Sequence, residues 1–221
     1  MARARVLPSP GVPGAVWAIV VAAGAGERFG GPKQFEPLGP GTVLDRSLAV
    51  ARQVATGVVV VVPPGRIPGQ GEVRGGATRS DSVRCGLAAV PGDADVIVVH
   101  DGARPFASTR LYEAVIDAVR GGADGAVPGL PVTDTIKVVD DDGAVVATPD
   151  RAHLVAVQTP QAFAAARLRA AHEGAPQGTD DAGLVEAAGG RVVVVAGETD
   201  NRKLTVPEDL DWARARVAGE G

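Results

Sequence analysis

The sequence predicts an α/β fold with a doubly wound, mostly parallel sheet, on two observations. Uninterrupted β-branched runs at 58–62, 96–99 and 192–195 are too apolar for half-exposed strands and suit parallel strands buried on both faces. Between them, apolar residues recur at the spacing of one helix face: Leu44, Leu48 and Ala51; Val83, Leu87 and Val90; Leu111, Val115 and Ala118. Strands alternating with such helices imply a sheet wound on both sides, whose ligands sit beyond the carboxyl ends of its strands. Chemistry is therefore sought just after Val21, Val62, Val99 and Ala196.

A chain of 221 residues, 45% of them hydrophobic, can bury one full α/β core. A single domain is expected over 15–221, with no room for a second enzyme. At the N-terminus, Arg3 and Arg5 precede the apolar run at 16–21, which imitates a secretion signal. Pro8, Pro10, Gly11, Pro13 and Gly14 interrupt that pattern, so residues 1–14 read as a disordered tail.

After the first strand comes Ala22-Ala23-Gly24-Ala25-Gly26-Glu27-Arg28-Phe29-Gly30-Gly31-Pro32-Lys33. Glycines let backbone N–H groups approach phosphate oxygens, while Arg28 and Lys33 supply charge-assisted contacts to a polyphosphate. A Walker A loop requires Ser or Thr after its lysine, but Gln34 follows Lys33. A dinucleotide fingerprint fails too, because Gly24, Gly26 and Gly30 give G-x-G-x-x-x-G and Asp45 lies in a helical pattern. A plain flexible turn is the bland alternative. The chain has only three lysines, Lys33, Lys137 and Lys203, against 19 arginines, and two of the three fall in suspected site loops. A compact ammonium can follow phosphate charge as it shifts between states.

The next elements carry less chemistry. Cys85, the sole cysteine, falls on a helix face with no catalytic partner nearby; it allows no intrachain disulfide and suits a reducing, cytoplasmic compartment. After the strand at 96–99 comes His100-Asp101-Gly102-Ala103-Arg104-Pro105. There Asp101 can accept hydroxyls or attract Mg²⁺, and Arg104 can hold a phosphate or pin the turn through Asp101. His100 reads as structural.

Residues 135–139 alternate, Asp140 to Gly143 make a turn, and 144–147 run apolar, which predicts a β-hairpin projecting from the core as an arm at about 132–155. Pairing with a second subunit is one way to cover it. A last helix is expected after Thr205, with Thr205 and Glu208 at capping-box spacing. The net charge of -4 argues against coating a nucleic acid, and no apolar run is long enough to span a membrane.

Taken together, these motifs resemble the 2-C-methyl-D-erythritol 4-phosphate cytidylyltransferases of the non-mevalonate isoprenoid pathway, nearly end to end. The match covers 22–33, the segment Gly75-Gly76-Ala77-Thr78-Arg79-Ser80-Asp81-Ser82-Val83, and 98–105. It continues through Asp134-Thr135-Ile136-Lys137, Asp150-Arg151, Gln158-Thr159-Pro160-Gln161, Thr179-Asp180 and 200–210. The resemblance implies a Rossmann-like fold of the nucleotide-diphospho-sugar transferase type. It also implies transfer of CMP from CTP to methylerythritol phosphate; Mg²⁺ is expected to be held mainly by the triphosphate, with Asp101 the candidate protein contact.

By the same resemblance, Ala22, Ala23, Gly24, Gly26, Gly76, Ser82 and Gly102 line the CTP site. Arg28 and Lys33 stabilise charge on the reacting triphosphate, and Arg151 and Lys203 orient the incoming phosphate. Asp101, Arg104, Thr135, Thr159 and Thr179 contact the polyol phosphate, with Thr135 and Arg151 reaching the partner's site in a homodimer joined through the arm. The chain departs from the family pattern at Arg202, where an apolar residue is usual, and at Val155, where an aromatic is common.

A phosphate monoester has a second pKa of about 6 and is largely ionised at neutrality, so the nucleophile needs no general base. The task is to bring two anions together, which calls for cations rather than a Ser-His-Asp triad. The same CTP loop would serve another polyol phosphate such as ribitol 5-phosphate, and a nucleotide-binding module without catalysis is a third reading.

Overall fold

The computed structural model describes residues 14–219. The expected tail, apart from Gly14, lies outside the described residues.

In chain order the elements are β1 (Val16–Val21), β2 (Pro37–Leu38), β3 (Gly41–Thr42), α1 (Val43–Val54), β4 (Gly57–Val62), β5 (Glu72–Arg74), α2 (Arg79–Ala89) and β6 (Val96–Asp101). There follow α3 (Thr109–Arg120), β7 (Gly125–Pro131), β8 (Val138–Val139), β9 (Val145–Ala147), β10 (Val155–Val157), β11 (Gln161–Ala164), α4 (Ala165–Ala171), α5 (Asp181–Ala187), β12 (Val192–Ala196) and α6 (Pro207–Ala218).

β1 lies between β4 and β6, parallel to both, and β5 extends the sheet beyond β4. The chain thus leaves β1 on one side, builds outward to β5, and returns on the other side as β6. That reversal opens a crevice at the carboxyl ends of β1 and β6. β11 runs antiparallel between β6 and β7, β10 pairs antiparallel with β7, and β12 joins β7 in parallel.

Alternation along each strand sends side chains to two cores. Ala18, Val20, Val60, Val62, Val96 and Val98 pack under α1 and α3, against Leu44, Leu48, Leu111 and Val115. Ile19, Val59, Val61, Ile97 and Val99 face the other way, under Val83 and Leu87 of α2, Leu168 of α4 and Val185 of α5. Each fully buried aliphatic side chain of this kind stabilises the fold by about 1.5–3 kcal/mol. The approach of α2 to β1 depends on Gly86, where a Cβ would stand 2.6 Å from Ile19 Cγ2. Capping is local: Thr42 with Asp45 starts α1, Thr78 with Asp81 starts α2, and Ser108 starts α3.

Three expectations need correction. The run at 192–195 forms a strand, but β12 pairs with β7 alone and Val194 is 53% exposed, so it is not buried on both faces. The last helix is capped one residue later than expected: Val206 is its N-cap, and the Asp209 carboxylate accepts from the amides of Thr205 and Val206 at 2.7 and 3.0 Å. The hairpin forms a separate two-stranded sheet, shorter than its alternation suggested, with a register shift between Val138 and Val139. No helix among the described residues is long and apolar enough to cross a membrane.

Candidate active site

β1 ends at Val21, and the following loop is folded by its own backbone. The Ala22 amide donates to the Val61 carbonyl at 2.8 Å, and the amides of Phe29, Gly30 and Gly31 all converge on the Gly26 carbonyl. Gly26 has a φ of 72° and would place a Cβ 1.8 Å from the Gly31 carbonyl oxygen, so only glycine closes this turn. Gln34, buried beneath the loop, donates from Nε2 to the carbonyls of Ala22 at 2.6 Å and Gly24 at 3.1 Å. The residue that breaks the Walker A pattern is thus the staple of this loop. Its Nε2 ties the Ala22 and Gly24 carbonyls down beneath the loop.

We expect Gln34→Leu to strand both carbonyls, destabilising the fold by about 1–3 kcal/mol and weakening nucleotide binding. Urea unfolding and calorimetric titration with CTP measure the two effects.

The loop forms one wall of a cleft of about 610 Å³ at the switch point of the sheet. Ala22, Ala23, Gly24, Gly26, Arg28 and Lys33 line it from this side, Gly76 and Ser82 from the start of α2, and Asp101 and Lys203 from its floor. Gly102 lies just behind, its amide donating to the Val21 carbonyl at 2.9 Å.

Arg104 and Thr159 support this floor without lining the cleft. Arg104 Nη1 donates to the Asn201 carbonyl at 2.8 Å, and its Nε lies 3.7 Å from Asp101 Oδ2. Arg104 thus bridges the Asn201 backbone and the Asp101 carboxylate. Thr159 Oγ1 accepts from the Asp101 amide at 3.0 Å and bonds His100 Nδ1 at 3.1 Å. Thr135, Arg151 and Thr179 are exposed and stand outside the cleft; Arg151 donates to the Thr133 carbonyl beside the hairpin.

The electrostatics of the floor are those of one carboxylate among cations. Lys203 Nζ donates to Asp101 Oδ2 at 2.8 Å, and Arg79 Nε lies 3.7 Å from Asp101 Oδ1. Burial alone would push the Asp101 carboxyl up, but Lys203, Arg79 and Arg104 outweigh it and hold it well below the ordinary carboxylate range. The Lys33 pKa is also lowered, in its case toward the neutral form: partial burial, then Lys203 and Arg28, disfavour its proton. Arg28, Lys33, Arg79 and Lys203 line the cleft around the single floor carboxylate of Asp101, an excess of cations suited to a polyphosphate.

His100 is fully buried, and burial lowers its pKa to about 4, leaving a neutral ring whose Nε2 bonds the Arg104 carbonyl at 3.1 Å. It braces the loop, as its setting in the sequence suggested. Lys203 is held in place by its neighbours: Leu204 N donates to the Ala103 carbonyl at 2.9 Å, and buried Asn201 donates from Nδ2 to the Thr159 carbonyl at 2.8 Å.

Sequence reasoning missed Gln34 and Arg79 as cleft residues. Arg79 lies within the matched segment, but an arginine opening a helix reads as solvated surface. Its signal is the buried carboxylate facing it, Asp181, which is remote in sequence. Among the described residues no group of three or more His, Cys, Asp or Glu side chains is arranged to hold a metal ion.

A family model described as IspD, 2-C-methyl-D-erythritol 4-phosphate cytidylyltransferase, matches residues 16–218. A 2-C-methyl-D-erythritol 4-phosphate cytidylyltransferase of Rhodococcus jostii is 47% identical, over 92% of this chain and 96% of that protein. A bifunctional enzyme IspD/IspF of Nitratidesulfovibrio vulgaris is 44% identical over 88% of this chain, which spans only 56% of that longer relative. Among solved structures, the 2-C-methyl-D-erythritol 4-phosphate cytidylyltransferase of Thermus thermophilus superposes with a TM-score of 0.77 at 38% identity, covering 90% of this chain and 98% of its own. With the glycine loop, the capped start of α2 and the Asp101 floor converging at one switch point, the chain belongs to the 2-C-methyl-D-erythritol 4-phosphate cytidylyltransferase family.

Proposed function

We propose that this chain transfers CMP from CTP to 2-C-methyl-D-erythritol 4-phosphate, releasing pyrophosphate and forming 4-diphosphocytidyl-2-C-methyl-D-erythritol. The observation that carries this reading is the set of cations around one cleft: Arg28 and Lys33 on the glycine loop face Lys203 across the Asp101 floor. The triphosphate lies along the loop amides, with Ala22, Ala23, Gly24, Gly26, Gly76 and Ser82 as its walls and Gly102 behind them. Arg28 and Lys33 stabilise charge on the α-phosphate as the acceptor oxygen attacks and the pyrophosphate oxygen departs in line. Lys203 orients the acceptor phosphate, and Asp101 accepts hydrogen bonds from the polyol hydroxyls. No side chain has to remove a proton, since the acceptor is already ionised.

The donor set fits a Mg²⁺ ion only if the nucleotide brings most of its ligands. Asp101 is the one floor carboxylate in reach, and three cations already share it. When bound, the ion neutralises triphosphate oxygens and helps the pyrophosphate leave.

The reading extends to a homodimer. Ile136, Val138, Val139, Val145 and Val146 of the hairpin segment, with Val155 and Val157 of β10, are exposed apolar side chains that a second copy would cover. Thr135 and Arg151, which stand outside their own cleft, would then serve the partner's acceptor site. Thr179 would close over the polyol, and Thr159 and Arg104 would act through the Asp101 loop they brace. A single domain over 15–221, working in the cytoplasm, completes the proposal.

Purified protein with CTP, Mg²⁺ and methylerythritol phosphate is expected to release pyrophosphate, measured by a coupled phosphatase assay. Release only with ribitol 5-phosphate would overturn the acceptor assignment, and CTP binding with no release for any polyol phosphate would overturn the activity.

A further inference from the structure

The α2 wall of the cleft is tied to the segment that carries Thr179. Residues 176–181 run along the start of α2. Thr78 Oγ1 donates to Gln177 Oε1 at 2.7 Å, the Gly178 amide donates to Ser80 Oγ at 3.2 Å, and Arg84 Nη1 donates to the Pro176 carbonyl at 2.8 Å.

Below these bonds lies a buried ionic chain. The Asp181 carboxylate has no exposed surface; its Oδ2 accepts from Arg79 Nη1 at 2.8 Å, and its Oδ1 lies 3.0 Å from His172 Nε2. Arg79 lines the cleft and continues the chain to Asp101, which bonds Lys203. An arginine side chain otherwise samples many rotamers, and fixing its planar fork from behind lets its remaining N–H donors meet a ligand without further loss of freedom. A wholly desolvated carboxylate is costly to the fold unless its partners are in place, so Asp181 and Arg79 lock each other. Held on one oxygen by Arg79 and on the other by His172, Asp181 cannot turn away.

We infer that Asp181 is a positioning residue for nucleotide binding: outside the cleft itself, it acts through Arg79 to hold that guanidinium over the floor beside Asp101. Asp181 is the first residue of α5, two positions after Thr179, so its bond to Arg79 ties the acceptor loop to the nucleotide wall. This rests on the cleft being the CTP site. It adds a residue that touches no substrate.

The test is a double-mutant cycle on CTP affinity, measured by calorimetry with Mg²⁺ on full-length protein carrying Asp181→Asn, Arg79→Ala or both. If Asp181 acts through Arg79, each single change weakens binding by about 10- to 100-fold, and the double variant binds no more weakly than Arg79→Ala alone. Millimolar guanidinium is expected to restore part of the affinity of Arg79→Ala while Asp181 is present, and none in the double variant. A merely structural carboxylate would not produce that dependence.

Effects that multiply, or a folded Asp181→Asn with wild-type affinity, would overturn the inference. If Asp181→Asn does not fold, Asp181→Glu carries the test: several-fold weaker CTP binding with an unchanged near-UV circular dichroism spectrum supports it, and wild-type affinity contradicts it. Wild-type protein that binds no CTP would instead sink the reading of the cleft, while wild-type binding with unaffected variants sinks only this inference.

Discussion

Lys33→Ala is expected to lower kcat/KM for CMP transfer by about 10²- to 10³-fold while leaving circular dichroism and thermal midpoint close to wild type. The side chain is only half-buried, in a loop whose shape is set by Gly26 and Gln34, so removing it leaves the fold's bonds in place. What is lost is a cation where charge concentrates as the α-phosphate is displaced. Lys33→Arg is expected to recover only part of the rate, because a planar fork cannot follow that charge as a compact ammonium does.

The lowered pKa of Lys33 gives an independent handle. Burial and the neighbouring Lys203 and Arg28 disfavour its proton in the empty cleft. A bound triphosphate reverses that balance and raises the pKa, so CTP binding in the alkaline range below 10.5 should take up protons. Calorimetry in buffers of different ionisation enthalpy measures the uptake, and Lys33→Ala should abolish it. Unchanged proton linkage in that variant would show that another group meets the anion.

Asp101→Asn carries the second large effect, on both stability and activity. Removing the charge leaves Lys203, Arg79 and Arg104 facing one another, and uncompensated charge of this kind costs about 3 kcal/mol. The sign of the pH dependence follows from the depressed pKa. The stabilisation is fully present above the unfolded carboxyl value of about 4 and is lost as pH falls through the lower folded value. Urea unfolding should therefore show wild-type stability declining below about pH 4, and a flatter profile for Asp101→Asn. Transfer activity should fall with it, because the Lys203 ammonium loses the partner that aims it. Equal acid sensitivity in the two proteins would place the depressed carboxyl elsewhere.

Much of the fold could be read in the sequence, because strands buried on two faces are written as apolar runs. The run at 192–195 shows where that code stops. Five residues of β12 look as apolar as β6, yet a strand's composition does not say how many neighbours it has, and β12 has one. The shifted helix start has a similar cause. Thr205 and Glu208 have the right spacing, but so do Val206 and Asp209, and an aspartate that reaches back to two amides prevails even without a capping hydroxyl.

In the site, residues carried by the loops after β1 and β6 were legible because short motifs contain them whole. Gln34 and Arg79 were not, since their meaning lies in bonds to Ala22 and to Asp181, one beneath the loop and the other 102 positions away. Arg104 was legible as a charge, but its bond to the Asn201 carbonyl, 97 positions away, was not. Thr135, Arg151 and Thr179 are recognisable by motif, yet all three are exposed and stand outside the cleft.

The most direct measurement of the central claim is the phosphorus-31 spectrum of CTP and methylerythritol phosphate after incubation with the protein and Mg²⁺. Attack by the acceptor phosphate at the α-phosphorus predicts two coupled resonances of a new diphosphate diester together with inorganic pyrophosphate. CMP with pyrophosphate, or CDP with inorganic phosphate, would mean that water attacks instead, and would contradict the two-anion site built around Lys33 and Lys203.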